Sequence, residues 1–385
     1  MFKQLRTVKV LGLLAVALMG SLYAPNKDGG GTTDPTPDAF STYAGLSTDS
    51  AYDGVSRSTS SVVTAPTVMA VQTAKIMGLV SAVTAEAVEA MRGGGTLSDA
   101  SGGTKLAGSS GSQHRASAWV RASHGAIDNS VKNQEWNGHS YLLMIGADYR
   151  FNNMFCAGLG LSYSRLDART EFNKGTMTHD TFGINPYLVI VPHKNFNLEV
   201  VAGANWSNEK GDRRLVQDNV NGTNIDNKYN YSTKGNTVFG GIFANFINTA
   251  GKASYGLQVG YLMSQKKLNA HNETSADAKY AFQAKRTPSN TFKVGTVSGK
   301  LKAGYQVTPS VMPYVVLHAQ YDAQRNEGVT YSNGTKYEVS RSGFGGGTGI
   351  SYRSDDALSG SLEFDYTQRN KLKMYVTGLR FHYGF

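Results

Sequence analysis

The chain has 385 residues, with 44 Gly and 21 Tyr against 9 Pro, a single Cys and a formal charge of +10. One cysteine, Cys156, excludes an internal disulfide framework and a thiolate zinc cluster. The positive balance is dispersed and forms no basic run with interleaved aromatics, which argues against nucleic acid as a partner, and the abundance of Tyr and Gly favours β structure.

Residues 1–24, MFKQLRTVKVLGLLAVALMGSLYA, set Lys3, Arg6 and Lys9 before an apolar stretch from Val10 to Met19. That stretch is too short to span a bilayer as a helix, and the pattern is that of a signal peptide directing export. Residues 25–60 are rich in Gly, Thr, Ser, Asp and Pro and poor in large aliphatics, so they read as a disordered leader. Over 61–95 the texture is helical. Thr64 and Pro66 suit a helix start, Gly93 to Gly95 suit its end, and Ile76, Val80, Val83 and Ala87 recur at helical spacing. Such a helix is about 40 Å long. Ala70, Ala74, Gly78, Ala82 and Ala85 keep it slim, while Lys75, Glu86 and Glu89 make it a poor lipid-facing span. These features predict a helix threading a polar pore and docking there through its charges; a surface amphipathic helix shares the pattern. A Gly/Ser linker, 96–116, follows.

From 117 to 385 the period becomes two. In YLLMIGADYRF, Tyr141, Leu143, Ile145, Ala147, Tyr149 and Phe151 share one face, and Leu142, Met144, Gly146, Asp148 and Arg150 the other. FNLEVVAGANW, YGLQVGYLM and the closing YVTGLRFHYGF repeat the alternation, giving about twelve strands of the length a tilted membrane strand needs. Aromatics stand near the ends of the greasy faces. Short turns near 152, 192, 308 and 353 trade places with polar loops expected at 126–139, 165–178, 207–236, 264–292 and 322–342. The prediction is an all-β membrane protein, a 12-stranded antiparallel transmembrane β-barrel with the N-terminal helix in its pore, in the bacterial outer membrane. The closing strand pairs with the first to remove both edges.

The same parity assigns Asp148, Arg150, Glu199, Lys300, Lys302, Glu363, Asp365, Arg380 and His382 to a polar lumen too glycine-rich for a packed core. Glycines in GFGGGTG, from 343, are read as making room for the helix, and GTVSGKL at 295 departs from a phosphate loop at Leu301. His124, His179, His271 and His318 stand beside no catalytic motif, so neither an enzyme nor a cofactor or metal site is expected. Lys266, Lys267, Lys279, Lys285 and Arg286 give the 264–292 loop a basic balance suited to lipopolysaccharide or a host surface.

GADYRFNNMFCAGLGLSYSR, FGINPYLVIV with NFNLEVVAGANWS, PYVVLHAQYD and GLRFHYGF, in this order, resemble the β-domain of classical autotransporters, the type V secretion translocators. The resemblance covers roughly residues 60–385. It implies twelve strands in one chain, a helix in the pore and an N-terminal passenger carried to the cell surface. Gly378, Phe381, Tyr383 and Phe385 are similar to the signal read by the barrel-assembly machinery. The sequence departs in offering only 25–60 as passenger and in lacking the Asn-Asn pair at which some members cut themselves. The function expected is a monomeric translocator displaying a short N-terminal segment, with an adhesin or antigen acting through its loops, or a simple porin, as alternatives.

Overall fold

The computed structural model describes residues 115–385 apart from 132–134, 221–222, 285, 327–339 and 355–357. The signal, leader, linker and the helix expected at 61–95, with Lys75, Glu86 and Glu89, lie outside the described residues.

Alternation of large apolar and small or polar residues yields long strands: β1 (Ala116–Asn129), β2 (Trp136–Arg150), β3 (Phe155–Thr170), β4 (Gly175–His193), β5 (Phe196–Val220), β6 (Thr223–Ala250) and β7 (Ala253–Leu268). Three two-residue strands follow, β8 (His271–Asn272), β9 (Thr274–Ser275) and β10 (Arg286–Thr287), with a 3-10 helix at Ala278–Gln283 before β10. Then come β11 (Asn290–Tyr305), β12 (Val311–Arg325), β13 (Ser342–Ser354), β14 (Leu358–Arg369) and β15 (Leu372–Gly384). Each long strand pairs antiparallel with its long neighbour in sequence, β7 with β11. β15 returns to β1, from Ser117↔Gly384 to Asn129↔Leu372. The ring of twelve is therefore closed, and each long strand has a paired neighbour on both sides across the apolar band, as hydrocarbon requires.

The outer wall is apolar. Leu317 is 64% exposed and Phe182 62%, whereas inward-facing Met144 is fully covered. Exposed aliphatics of one parity run round the whole barrel, a patch far larger than a soluble surface carries. Aromatic pairs mark its two edges: Phe196 with Phe246 (ring centroids 4.8 Å apart) on one side, Tyr163 with Phe182 (4.9 Å) and Tyr366 with Tyr375 (5.0 Å) on the other. These are the girdles of an outer-membrane barrel.

Tight turns at 151–154, 194–195 and 251–252 lie on the rim that also holds Ala116 and Gly384. The opposite rim differs from the sequence expectation. Residues 165–178 are strand apart from a four-residue turn at 171–174, and 207–236 forms a hairpin extension paired to Val220↔Thr223. The apolar alternation stops at the membrane edge, but Thr, Tyr and Asn keep the ladder going above it, so polar sequence here forms strand and not the expected loop. The connection between β7 and β11 does fold as a strap. Its β9 pairs with β6 at Tyr229↔Ser275 and Asn230↔Thr274, on the extension, and its β10 pairs with β8.

Candidate functional site

The inward faces of the twelve strands make one lumen with two unlike walls. On β1–β7, Trp119, Leu142, Met144, Cys156, Tyr187, Val189, Val201, Phe239, Phe243 and Leu262 form a packed apolar cluster. This corrects the expectation of a wholly polar interior. Glycine leaves room for large rings instead of emptying the wall: a Cβ on Gly260 would collide with the Phe243 ring, and one on Gly146 with Trp119. Asp148 is buried at the edge of this cluster. It accepts from Tyr187 Oη (3.0 Å) and from Ser117, and Trp119 Nε1 donates to Tyr187 Oη (3.0 Å). Glu199 is also buried and accepts from Asn245 Nδ2 (2.8 Å), while Arg150 at the turn rim donates to Asn153 Oδ1 (2.8 Å).

On β11–β15 and β1 the wall is charged. Lys300 lies 4.0 Å from Glu363, which accepts from Tyr314 Oη (3.0 Å), and Lys302 Nζ sits 3.8 Å from the centre of the Tyr314 ring. Asp365 stands 3.1 Å from His318 Nε2. Arg380 shares this wall, and Arg121 stands opposite it on β1 (Arg121↔Arg380), with His382 buried nearer the turn rim. Sequence reading missed Arg121, Tyr314 and the partner of His318. Arg121 was within reach, being two residues from the inward Trp119 and so of the same parity. Asp365 also accepts from Thr367 Oγ1 (3.2 Å), which puts the acid between histidine and hydroxyl, not the histidine between nucleophile and acid that activation needs.

The glycines of β13 serve these contacts. Glu363 to Tyr314, Asp365 to His318 and Arg369 to Asp322 (2.7 Å) all join β14 to β12 across β13. A Cβ on Gly349 would stand 2.5 Å from the Tyr314 ring, one on Gly345 2.5 Å from His318, and one on Gly343 2.6 Å from Arg369. The stripe assigned from sequence to the helix is thus occupied by side chains of the neighbouring strands.

Above the apolar band, the strap lies on the lumen-side face of the β5–β6 extension. Arg213 donates to both oxygens of Glu273 (2.8 and 2.7 Å), the pair being fully buried, and its guanidinium sits 4.4 Å from the Tyr229 ring centre. Tyr229 Oη donates to the Tyr280 carbonyl (3.2 Å), and Leu215 packs against both tyrosines. Beneath this, His179 Nδ1 is 3.1 Å from Glu209, whose other oxygen accepts from Tyr231 (3.2 Å). Burial pushes the Glu209 carboxyl up, but the contact with His179 and the charge of Lys266 outweigh it and hold the carboxyl below its ordinary value. Burial also lowers the Lys266 ammonium, against the pull of Glu209. Lys266, expected on an exposed loop, is therefore an interior residue on β7; Lys279 and Arg286 are exposed, with Lys279 3.7 Å from Asp277, and Lys285 is outside the described residues.

In the closing strand Phe381 and Tyr383 face outward and Phe385 is 61% exposed, while its N–H donates to Ala116 O (2.9 Å). Gly378 faces the lumen, where an added Cβ would meet Arg121 at 3.9 Å, an ordinary contact.

The sequence model of the autotransporter beta-domain matches residues 118–365. No curated protein matches the chain in sequence. Among solved structures, the translocator domain of autotransporter NalP from Neisseria meningitidis is similar at 11% identity with a TM-score of 0.61, over 82% of this chain and 98% of that one. The beta domain of the Bordetella autotransporter BrkA is similar at 12% identity with a TM-score of 0.50, over 70% and 100%. At such identities these likenesses concern the fold, an outer-membrane barrel of the translocator kind. With its beta-domain matched over more than half its length, the chain belongs to the autotransporter family.

Proposed function

We propose that the barrel translocates the N-terminal segment 25–60 through its lumen and displays it on the cell surface, with the 61–95 helix left in the pore. The observation that carries this reading is the two-walled lumen of a family member. A helix set inside it has an apolar stripe, Ile76, Val80, Val83 and Ala87, and, about 100° per residue apart, a charged stripe, Lys75, Glu86 and Glu89, roughly a third of a turn away. The lumen offers such a helix an apolar wall over part of its circumference and the cations Lys300, Lys302, Arg121 and Arg380 over the rest. Complementary charge fixes the helix's rotation more than its affinity, because each pair exchanges water for a partner in a wet lumen.

Residues 1–24 direct export, the closing Gly378, Phe381, Tyr383 and Phe385 engage the assembly machinery, and the product is a monomer that uses no cofactor. Transport and display, not covalent chemistry, is the mechanism. An epitope inserted at residue 40 tests it. Antibody binding on intact cells, lost on treatment with external protease, is the expected result. A tag reached only after the outer membrane is opened contradicts translocation and leaves the adhesin or porin readings.

A further inference from the structure

On the outward face, directly above the apolar band, polarity changes abruptly. Among the described side chains, Trp206, Val238, Met263 and Val297 are the last exposed large apolar residues on β5, β6, β7 and β11. Beyond them, on the same parity, stand Lys210, Lys234, Lys267 and Lys293, all exposed. The register makes them neighbours: Lys234 lies opposite Asn208, two residues from Lys210; Lys267 lies opposite Asn236, two from Lys234; Lys293 lies opposite Gln265, two from Lys267. Other outward charges nearby are paired, Arg214 with Asp226 (2.5 Å) and Lys228 with Asp212 (3.1 Å). Asp180, opposite Asn208 on β4, accepts from Tyr163 Oη (2.8 Å) and is the one carboxylate at the edge of the patch among the described residues. Among the described residues the four lysines form no ion pair with a protein carboxylate.

We infer that Lys210, Lys234, Lys267 and Lys293 form a binding surface for the phosphates of lipopolysaccharide in the outer leaflet. The inference rests on the outer-membrane reading, with the turn rim on the periplasmic side. Four cations across four adjacent strands, over hydrocarbon and at the foot of the extension, match an amphiphile whose acyl chains lie along the wall and whose phosphates sit at its polar edge. Flexible ammonium groups suit such diffuse anions, each adding about five-fold in affinity near an anionic surface.

The test titrates the purified full chain in neutral detergent with bisphosphorylated lipid A, dephosphorylated lipid A, phosphatidylglycerol and inorganic phosphate. It compares the wild type with Lys→Gln at all four positions, Lys→Gln at each of the two neighbouring pairs, and Lys→Arg at all four. Heat-modifiable migration verifies folding. Tight binding of bisphosphorylated lipid A alone is expected, kept by the arginine variant, weakened about 20-fold in each pair variant and at least about 100-fold in the quadruple glutamine variant. Unchanged affinity in the folded glutamine variants overturns the proposal, as does equal binding of phosphatidylglycerol, dephosphorylated lipid A or free phosphate. Surface display of the residue-40 epitope is read separately, so loss of lipid A binding with display intact rejects this site and not the translocator reading.

Discussion

Glycine carries the lumen's design at the residue scale. Gly345 and Gly299 both lie in strands, yet a Cβ at Gly345 would meet His318 at 2.5 Å while one at Gly299 would meet nothing within 4 Å. Gly345→Ala is expected to destabilise the refolded barrel by about 1–3 kcal/mol, and Gly299→Ala to leave its urea midpoint within error. Arg213 and Glu273 make the converse point. A buried carboxylate left without its guanidinium is costly, about 3–5 kcal/mol, so Arg213→Ala should loosen the strap and speed trypsin cleavage at exposed Lys279 by about 100-fold or more, with the barrel core still resistant. Parity made most lumen residues legible in the sequence, Asp148 and Glu199 among them. It could not say that Asp365 meets His318, because that contact crosses a strand and depends on Gly345 and Gly347 between them.

At the scale of elements, the β5–β6 extension with its strap was the least legible part. Its residues alternate Thr, Tyr, Asn and Lys, and what holds them as strand is the ladder and a buried polar cluster formed between segments distant in the chain. That cluster titrates. Glu209 is held below its ordinary value of 4.5, so the folded extension binds fewer protons than the unfolded one; its contribution is complete above that value and is lost as pH falls through the lowered one. Protease protection of the extension is therefore expected to hold at neutral pH and to fall progressively below about pH 4.5, and Glu209→Gln should remove that dependence while lowering protection at neutral pH. The closing strand behaves differently. Phe385 is mostly exposed and packs little against the barrel, so Phe385→Ser should scarcely change the stability of refolded protein yet lower the amount assembled in cells, measured as the heat-modifiable fraction of outer membranes.

For the whole molecule, the sequence made closure legible because hydrocarbon admits only strands whose edges are all paired, and one apolar face of constant parity implied where that hydrocarbon lies. It did not make legible the apolar half of the lumen, because inward Trp119, Met144, Tyr187 and Phe243 come from four separate strands, each looking like an isolated exception. Three tryptophans now separate the compartments: Trp119 and Trp136 are buried within the barrel, and Trp206 is 53% exposed on the outer wall. Reconstitution into vesicles of lipids brominated along the acyl chain reads this arrangement directly through tryptophan emission. Strong quenching of the wild type, nearly abolished in Trp206→Phe, is the result predicted. Equal quenching of the wild type and Trp206→Phe, or none in either, would contradict a wall with lipid outside and the lumen within.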